Sequence, residues 1–314
     1  MENVVIIGTG PAGLSAAIYA ARAELQPLVL AGDTPGGQIT ITDAIDNFPG
    51  FPEGVAGIEL FEKMRDQAEK FGARIVAETV TEVDFSSQPL KIKTYDNEYE
   101  ASTVIISTGS NPRKLNVPGE QEYVGRGVSY CATCDAFFFR GRKVVVVGGG
   151  DSAVEEALFL TKFASSVTIV HRRDRLRAQA GLQTRAKNNE KIDFVWDSVV
   201  TEIVGDDKAG VTGIKVKNVK TDEESIVETD GVFIFVGHIP NTKLFEGKID
   251  LDETGIIKTD SRQRTSVPGV YAAGDVQDNI YRQAVTSAGT GAAAAMEADK
   301  FLADMEGNAY PGKM

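Results

Sequence analysis

Apolar residues along this chain gather in short runs, and glycine clusters interrupt them at two places. The segment NVVIIGTGPAGLSAAIYAARAELQPLVL opens with an apolar run, turns at glycines, continues in small residues, and closes with a second apolar run. A short apolar run bounded by turn signals is a strand buried on both faces, so the segment reads strand, turn, helix, strand. The same order returns in KVVVVGGGDSAVEEALFLTKFASSVTIVHRR. Three further runs break on turn residues: ASTVIISTGSNPR at Thr108 and Gly109, VFIFVGHIPNT at Gly237 and Pro240, and VPGVYAAGDVQD at Gly274 and Asp275. Buried strands alternating with helices predict an α/β chain built on parallel sheets.

The glycine spacing sharpens this prediction, because each repeat carries a dinucleotide-binding fingerprint. In the first, Gly8 permits a sharp turn, Gly10 lets the backbone approach a pyrophosphate, and Gly13 lets helix and sheet pack closely. The N–H groups at the helix start then face the anion. An acid that would hold a ribose is absent from the end of LVL, and Asp33 is the nearest candidate. The second fingerprint is the G-x-G-x-x-A version, with Gly148, Gly150 and Ala153, and it runs into HRRDRLR. There Arg172, Arg173 and Arg177 can bind a 2′-phosphate by charge-assisted hydrogen bonds, which predicts NADP rather than NAD. A solvated basic cluster at a helix entry is the alternative reading.

One fingerprint unit lies between two turn-rich exits. The expected layout is therefore two Rossmann-like dinucleotide-binding domains, with residues 1–112 and 245–314 forming one and residues 113–244 inserted into it.

Composition narrows the function class. With 314 residues and 42% apolar content the chain can bury the cores of two domains. Its 33 basic and 45 acidic side chains leave a net charge of -12, which argues against non-specific binding to nucleic acid or anionic membranes. No apolar run approaches the roughly 18 residues of a membrane span, and Met1 leads almost at once into VVIIGTG. A cytoplasmic location is the expectation.

Cys131 and Cys134 are the chain's two cysteines, a C-x-x-C shortly before the second glycine run. They are too few for a disulfide scaffold, and a four-ligand zinc site would have to recruit both histidines, His171 and His238, at spacings unlike those of known sites. No metal is expected, and the pair reads as redox-active.

GTGPAG, GGQ at 36–38, CATCD, GGGDSAVEEA, HRRDRLR, AAGD and YRQAVTSAGTGAAAA occur in an order and spacing that resemble the low-molecular-weight thioredoxin reductases of bacteria across essentially the whole chain. The resemblance implies FAD in the outer domain and NADPH in the inserted one. It assigns Gly8, Gly10, Pro11, Ala12, Gly13, Asp33, Gly36, Gly37, Gln38, Asn47, Thr108, Gly109, Gly274, Asp275, Arg282, Gln283 and Ala284 to FAD. Within that set Asp275 would hydrogen-bond the ribityl chain, and the helix starting at RQA would turn its positive end to the flavin. Gly148, Gly150, Asp151, Ser152, Ala153, Glu155, His171, Arg172, Arg173 and Arg177 fall to NADPH, although Glu155 reads equally as a plain helix-face charge. Ala136 departs from the pattern, where glycine is frequent.

By the same resemblance Cys134 would face the flavin, and Cys131 would attack the substrate disulfide before Cys134 resolves the adduct. Asp135 beside them could exchange the proton that the thiols need, or could cap the next turn. Because the dithiol and the NADPH site share a domain and both must reach one flavin, two arrangements exchanged by rotation about the linkers are expected. The run Phe137, Phe138 and Phe139 reads as a core strand whose alternation turns at least one ring outward, and the family's matching pair receives thioredoxin. Arg126 and Arg140 would add local positive charge for an acidic partner. A homodimer is a family expectation. Two other readings keep the motifs: the same fold serving another redoxin or another donor such as ferredoxin, and a non-catalytic flavin redox sensor.

Overall fold

The computed structural model describes residues 1–308 except 43, 44, 46, 207 and 209. It divides into two compact units, Met1–Asn111 with Ile239–Met314, and Pro112–His238.

In the first unit, strand Glu2–Ile7 lies between Leu28–Leu30 and Glu98–Ile106, parallel to both. Arg74–Val76 and Val270–Ala272 extend the parallel region at its two ends. Leu90–Thr94 and Val80–Asp84 continue from Glu98–Ile106 as antiparallel strands. Val4, Val5 and Ile6 are all fully buried, as strands covered on both faces must be. Helix Pro11–Arg22 covers one face together with the C-terminal helix Ala284–Met305. Small residues let these helices touch: a Cβ on Gly291 would stand 2.0 Å from the Ala12 carbonyl oxygen. No described helix is long and apolar enough to cross a membrane.

The second unit repeats the plan. Strands Ile192–Val195, Ser166–Val170, Lys143–Gly148, Gly231–Phe235 and Val128–Ser129 form a five-stranded parallel sheet in that order. Helix Asp151–Leu160 packs on one face, and a three-stranded antiparallel sheet, Ser198–Asp206, Gly210–Asn218 and Glu224–Glu228, contributes to the core on the other. The chain is thus α/β, with one Rossmann-like unit inserted into another.

Two expectations need correction. The second crossover falls after His238, not after residue 244. Asn241 explains the shift: its N–H donates to the Gly109 carbonyl at 3.0 Å, its Nδ2 donates to the Thr108 carbonyl at 2.8 Å, and its own carbonyl accepts from Thr108 Oγ1 at 2.9 Å. Phe245 then buries fully in the first unit's core, so residues 239–244 fold with that unit. The aromatic run is not a strand either. Ala136–Phe139 is a 3-10 helix, in which three residues complete a turn, so Phe137 and Phe138 are both exposed while Phe139 is buried against Phe233.

Candidate active site

Two glycines of the first fingerprint turn, Gly8 and Gly13, leave no room for a side chain. Gly8 has φ +109°, and a Cβ on Gly13 would sit 2.0 Å from the Gly8 carbonyl oxygen. Pro11 and Ala12 begin the helix. Gly36 joins this turn from the next loop, its N–H donating to buried Thr9 Oγ1 at 3.0 Å with φ +83°. Gly37 and Gln38 follow in a short 3-10 turn, and Gln38 Nε2 donates to Asn111 Oδ1 at 2.8 Å. Thr108 and Gly109 are held by Asn241 as described. Asp33 is exposed and accepts from Thr79 Oγ1.

Three distant segments converge within the same unit. Asn47 Nδ2 donates to Gln283 Oε1 at 3.1 Å, across 236 positions of sequence. Gln283 also caps the helix starting at Ala284, reciprocally with Thr286. Arg282 precedes it with φ +48°, and burial lowers the pKa of its guanidinium. Gly274 donates its N–H to Thr290 Oγ1 at 2.9 Å. Asp275 beside it is pushed up to about 6, chiefly by burial and further by Asp278, while the hydrogen bond from Ser287 Oγ at 3.1 Å and the charge of Arg282 oppose the rise.

In the second unit, Gly148 has φ +155° and buried Ala153 takes the packing position of Gly13. His171 is buried, and a Cβ on Gly149 would stand 2.3 Å from its Nδ1. Its ring hydrogen-bonds the Gly148 carbonyl, while burial and then Arg177, Arg173 and Arg172 hold its pKa below the usual imidazole range. His171 therefore shores up the glycine loop as a neutral ring. Its Nε2 is covered and has no partner among the described residues.

The N–H of Arg177 donates to the Gly149 carbonyl at 2.7 Å, and its Nη2 lies 3.8 Å from where a Gly150 Cβ would be. An exposed cation on an anchored backbone thus stands beside the fingerprint turn. Arg172 and Arg173 are exposed, and Asp174 between them and Arg177 is taken up by Lys220 at 3.3 Å. Ser152 and Glu155 are exposed on the helix; Asp151 Oδ1 accepts from the Gln179 N–H at 2.7 Å, closing the loop onto the helix start.

Cys131 and Cys134 form a disulfide across one helical turn, Ala132–Asp135, with a Cα–Cα separation of 5.4 Å. Ser129 Oγ orients the turn by accepting from the Cys131 N–H at 3.0 Å and donating to the Cys131 carbonyl at 3.1 Å. The Cys134 N–H donates to Cys131 Sγ at 3.2 Å. Such a donor favours a thiolate at the first sulfur once the bond is reduced. Asp135 is half-buried, and its N–H donates to the Cys131 carbonyl at 3.2 Å.

Two groups here carried no signal in the sequence. Glu120, only 1% exposed, accepts from the N–H groups of Leu115 and Asn116 and from Tyr130 Oη at 2.8 Å. It ties the segment entering this unit to the residue before Cys131. Glu156 lies on the helix Asp151–Leu160 and is pushed up to about 7 by burial first and by Glu155 second, against a hydrogen bond from the Thr133 N–H. Charged residues at these places look like surface residues until the packing is known.

The pyridine nucleotide-disulphide oxidoreductase family profile matches residues 2–291. The chain is 56% identical to the thioredoxin reductase of Rickettsia felis, over 96% of this chain and 98% of that protein. It is 51% identical to the thioredoxin reductase of Streptomyces coelicolor, over 100% and 98%. The crystal structure of thioredoxin reductase from Streptococcus pyogenes superposes with a TM-score of 0.91 at 47% identity, covering 97% of this chain and 99% of that one. Two Rossmann-like units, an internal C-x-x-C disulfide and full-length likeness at this level lead to one assignment: the chain belongs to the pyridine nucleotide-disulphide oxidoreductases and, among them, to the thioredoxin reductases.

Proposed function

We propose that this oxidoreductase carries electrons from NADPH through FAD to the Cys131–Cys134 disulfide and from there to oxidised thioredoxin. The observation that carries the reading is the disulfide itself, formed on a single turn in the same unit as an arginine-flanked fingerprint. The residues fit both dinucleotides. Each fingerprint is a cradle in which an added Cβ would collide, at Gly13 with backbone and at Gly149 with His171. FAD would be held in the first unit by the turn from Gly8 to Gly13, by the Gly36–Gln38 turn, and by Asp275, Arg282 and Gln283. NADPH would be held in the second by Gly148, Gly150 and Ala153, with Arg172, Arg173 and Arg177 on the 2′-phosphate. Bound flavin supplies the conversion of a hydride into an electron pair that a disulfide can accept.

The chain's own residues do the thiol chemistry. With the disulfide reduced, the Cys134 N–H stabilises negative charge on Cys131, whose thiolate attacks a sulfur of the thioredoxin disulfide and expels the other as a thiolate. Cys134 then attacks Cys131 in the mixed disulfide, re-forming the internal bond and releasing thioredoxin as a dithiol. Half-buried Asp135 exchanges protons with the two sulfurs. Phe137 and Phe138, 59% and 49% exposed, offer apolar rings for the partner, and Arg140 stands 5.4 Å from the Phe137 ring centroid. Arg126 adds positive charge to the same unit. The functional form is a homodimer in the cytoplasm.

Anaerobic titration of the purified flavoprotein with NADPH, followed by addition of oxidised thioredoxin, tests the path. Bleaching of the flavin by NADPH and its recovery on adding thioredoxin are expected; bleaching without recovery favours another redoxin, and no bleaching overturns the donor.

A further inference from the structure

The Glu156 carboxyl is a titratable group that the electron path above leaves idle. Its helix packs against the single turn that carries the disulfide, and the Thr133 N–H, between the two cysteines, donates to it. Its Oε2 is covered and has no hydrogen-bond partner among the described residues. The next N–H of the same turn, that of Cys134, donates to Cys131 Sγ. Carboxyl and sulfur therefore hang from adjacent amides of one turn. Burial leaves Glu156 near neutrality in its titration, at about 7, with Glu155 of its own helix as the charged neighbour that raises it. Among other charged groups on the elements around it, Asp135 on the disulfide turn is half-buried, while Lys143 on the strand beneath and Arg185 and Lys187 on the next helix are exposed.

We propose that Glu156 is a positioning residue for the dithiol, taking up a proton as the Cys131–Cys134 bond is reduced and so sparing the new thiolate a neighbouring negative charge. The proposal rests on the reading of this disulfide as the redox centre. The balance is simple. A two-electron donor, the reduced flavin in turnover or a small dithiol in the test, places two electrons in the S–S bond, which breaks. One sulfur takes a proton and becomes a thiol, and the other remains a thiolate. A second proton moves from solvent to the Glu156 carboxylate, so the net charge of the site is the same before and after. Were the carboxylate to keep its charge, repulsion would raise the thiol pKa and thin the thiolate that must attack.

Glutamine separates this role from a structural one, because its Oε1 accepts the Thr133 N–H equally well and holds no charge. The test takes the flavin-loaded enzyme, reduces it anaerobically with dithiothreitol in lightly buffered solution at pH 7.5 and reads proton uptake with an indicator dye. The wild type is expected to take up as much as about one proton more per disulfide than Glu156→Gln, which has no carboxylate to protonate, and Glu156→Asp should restore that extra uptake. Iodoacetamide alkylation of reduced Cys131, followed by mass spectrometry, should run at like rates in the wild type and Glu156→Gln, because both side chains are uncharged beside the thiolate. Equal proton uptake in the two, or alkylation several-fold faster in Glu156→Gln, overturns the proposal. A third measurement needs no variant: the reduced-minus-oxidised infrared spectrum of the wild type at pH 7.5 should show a carboxylic acid band gained and a carboxylate band lost, and absence of that exchange is equally fatal. None of these measurements uses NADPH or thioredoxin, so an enzyme that fails with thioredoxin would refute the proposed function while leaving this one to be judged separately.

Discussion

Asp275 allows a prediction with a worked magnitude. Its carboxyl is pushed from an ordinary value of 3.8 up to about 6, mainly by burial. The folded protein therefore binds the proton more tightly than the unfolded chain, and stability attributable to this group falls as pH rises from about 4 through 6. The full span corresponds to about 3 kcal/mol. Asp275→Asn removes the titration, and its amide oxygen can still accept from Ser287 Oγ. In flavin-free protein the variant's advantage over wild type should grow from about 1.6 kcal/mol at pH 5 to about 3 kcal/mol at pH 7 and then level off, apart from any pH-independent offset of the substitution. Urea unfolding followed by circular dichroism at each pH reads this out, and taking the difference between the two proteins cancels other groups such as Glu156. A difference constant from pH 5 to 7 would show that the carboxyl is not desolvated, and the reasoning would be wrong.

Other expectations follow from the site. Replacing Arg172 and Arg173 by neutral residues should raise the KM for NADPH while sparing NADH, narrowing the preference by roughly 30- to 1,000-fold; steady-state assays with both nucleotides decide it. Cys134→Ser should accumulate a mixed disulfide with a single-cysteine thioredoxin, and Cys131→Ser should not; mass spectrometry giving the reverse would exchange the two roles. Gly149→Ala drives a Cβ to within 2.3 Å of His171 Nδ1, so NADPH affinity should drop with flavin content unchanged. Gly181→Ala, in the helix Ala180–Lys187 with nothing within 4 Å of the new methyl, should instead stabilise by about 0.5–1 kcal/mol in thermal unfolding.

The sequence alone determined whatever depends on near neighbours. The two fingerprints were legible because a strand, a glycine turn and a helix are local: the positive φ of Gly8 and the approach of Gly13 to the Gly8 carbonyl arise within six residues of chain, although Ser107 also closes on both glycines from a distant segment. The disulfide was legible because C-x-x-C puts both sulfurs on one turn. These motifs also carried the fold class and the family. Tertiary structure decided what depends on which face meets which. Glu155 and Glu156 are adjacent in sequence, yet successive helical residues point about 100° apart, so one is exposed and the other turns toward the Thr133 N–H. His171 sits in a basic run that reads as ligand-binding throughout, but packing draws its ring under Gly149 and leaves the neighbouring arginines outside. The end of the inserted unit could not be placed from turn residues, since every residue from Gly237 to Thr242 is compatible with a linker; Asn241 and its bonds to Thr108 and Gly109, more than 130 positions away, fix it. Periodicity tells which side of an element is apolar, whereas the partner that covers that side, and the carboxyl trapped beneath it, exist only once distant segments have packed.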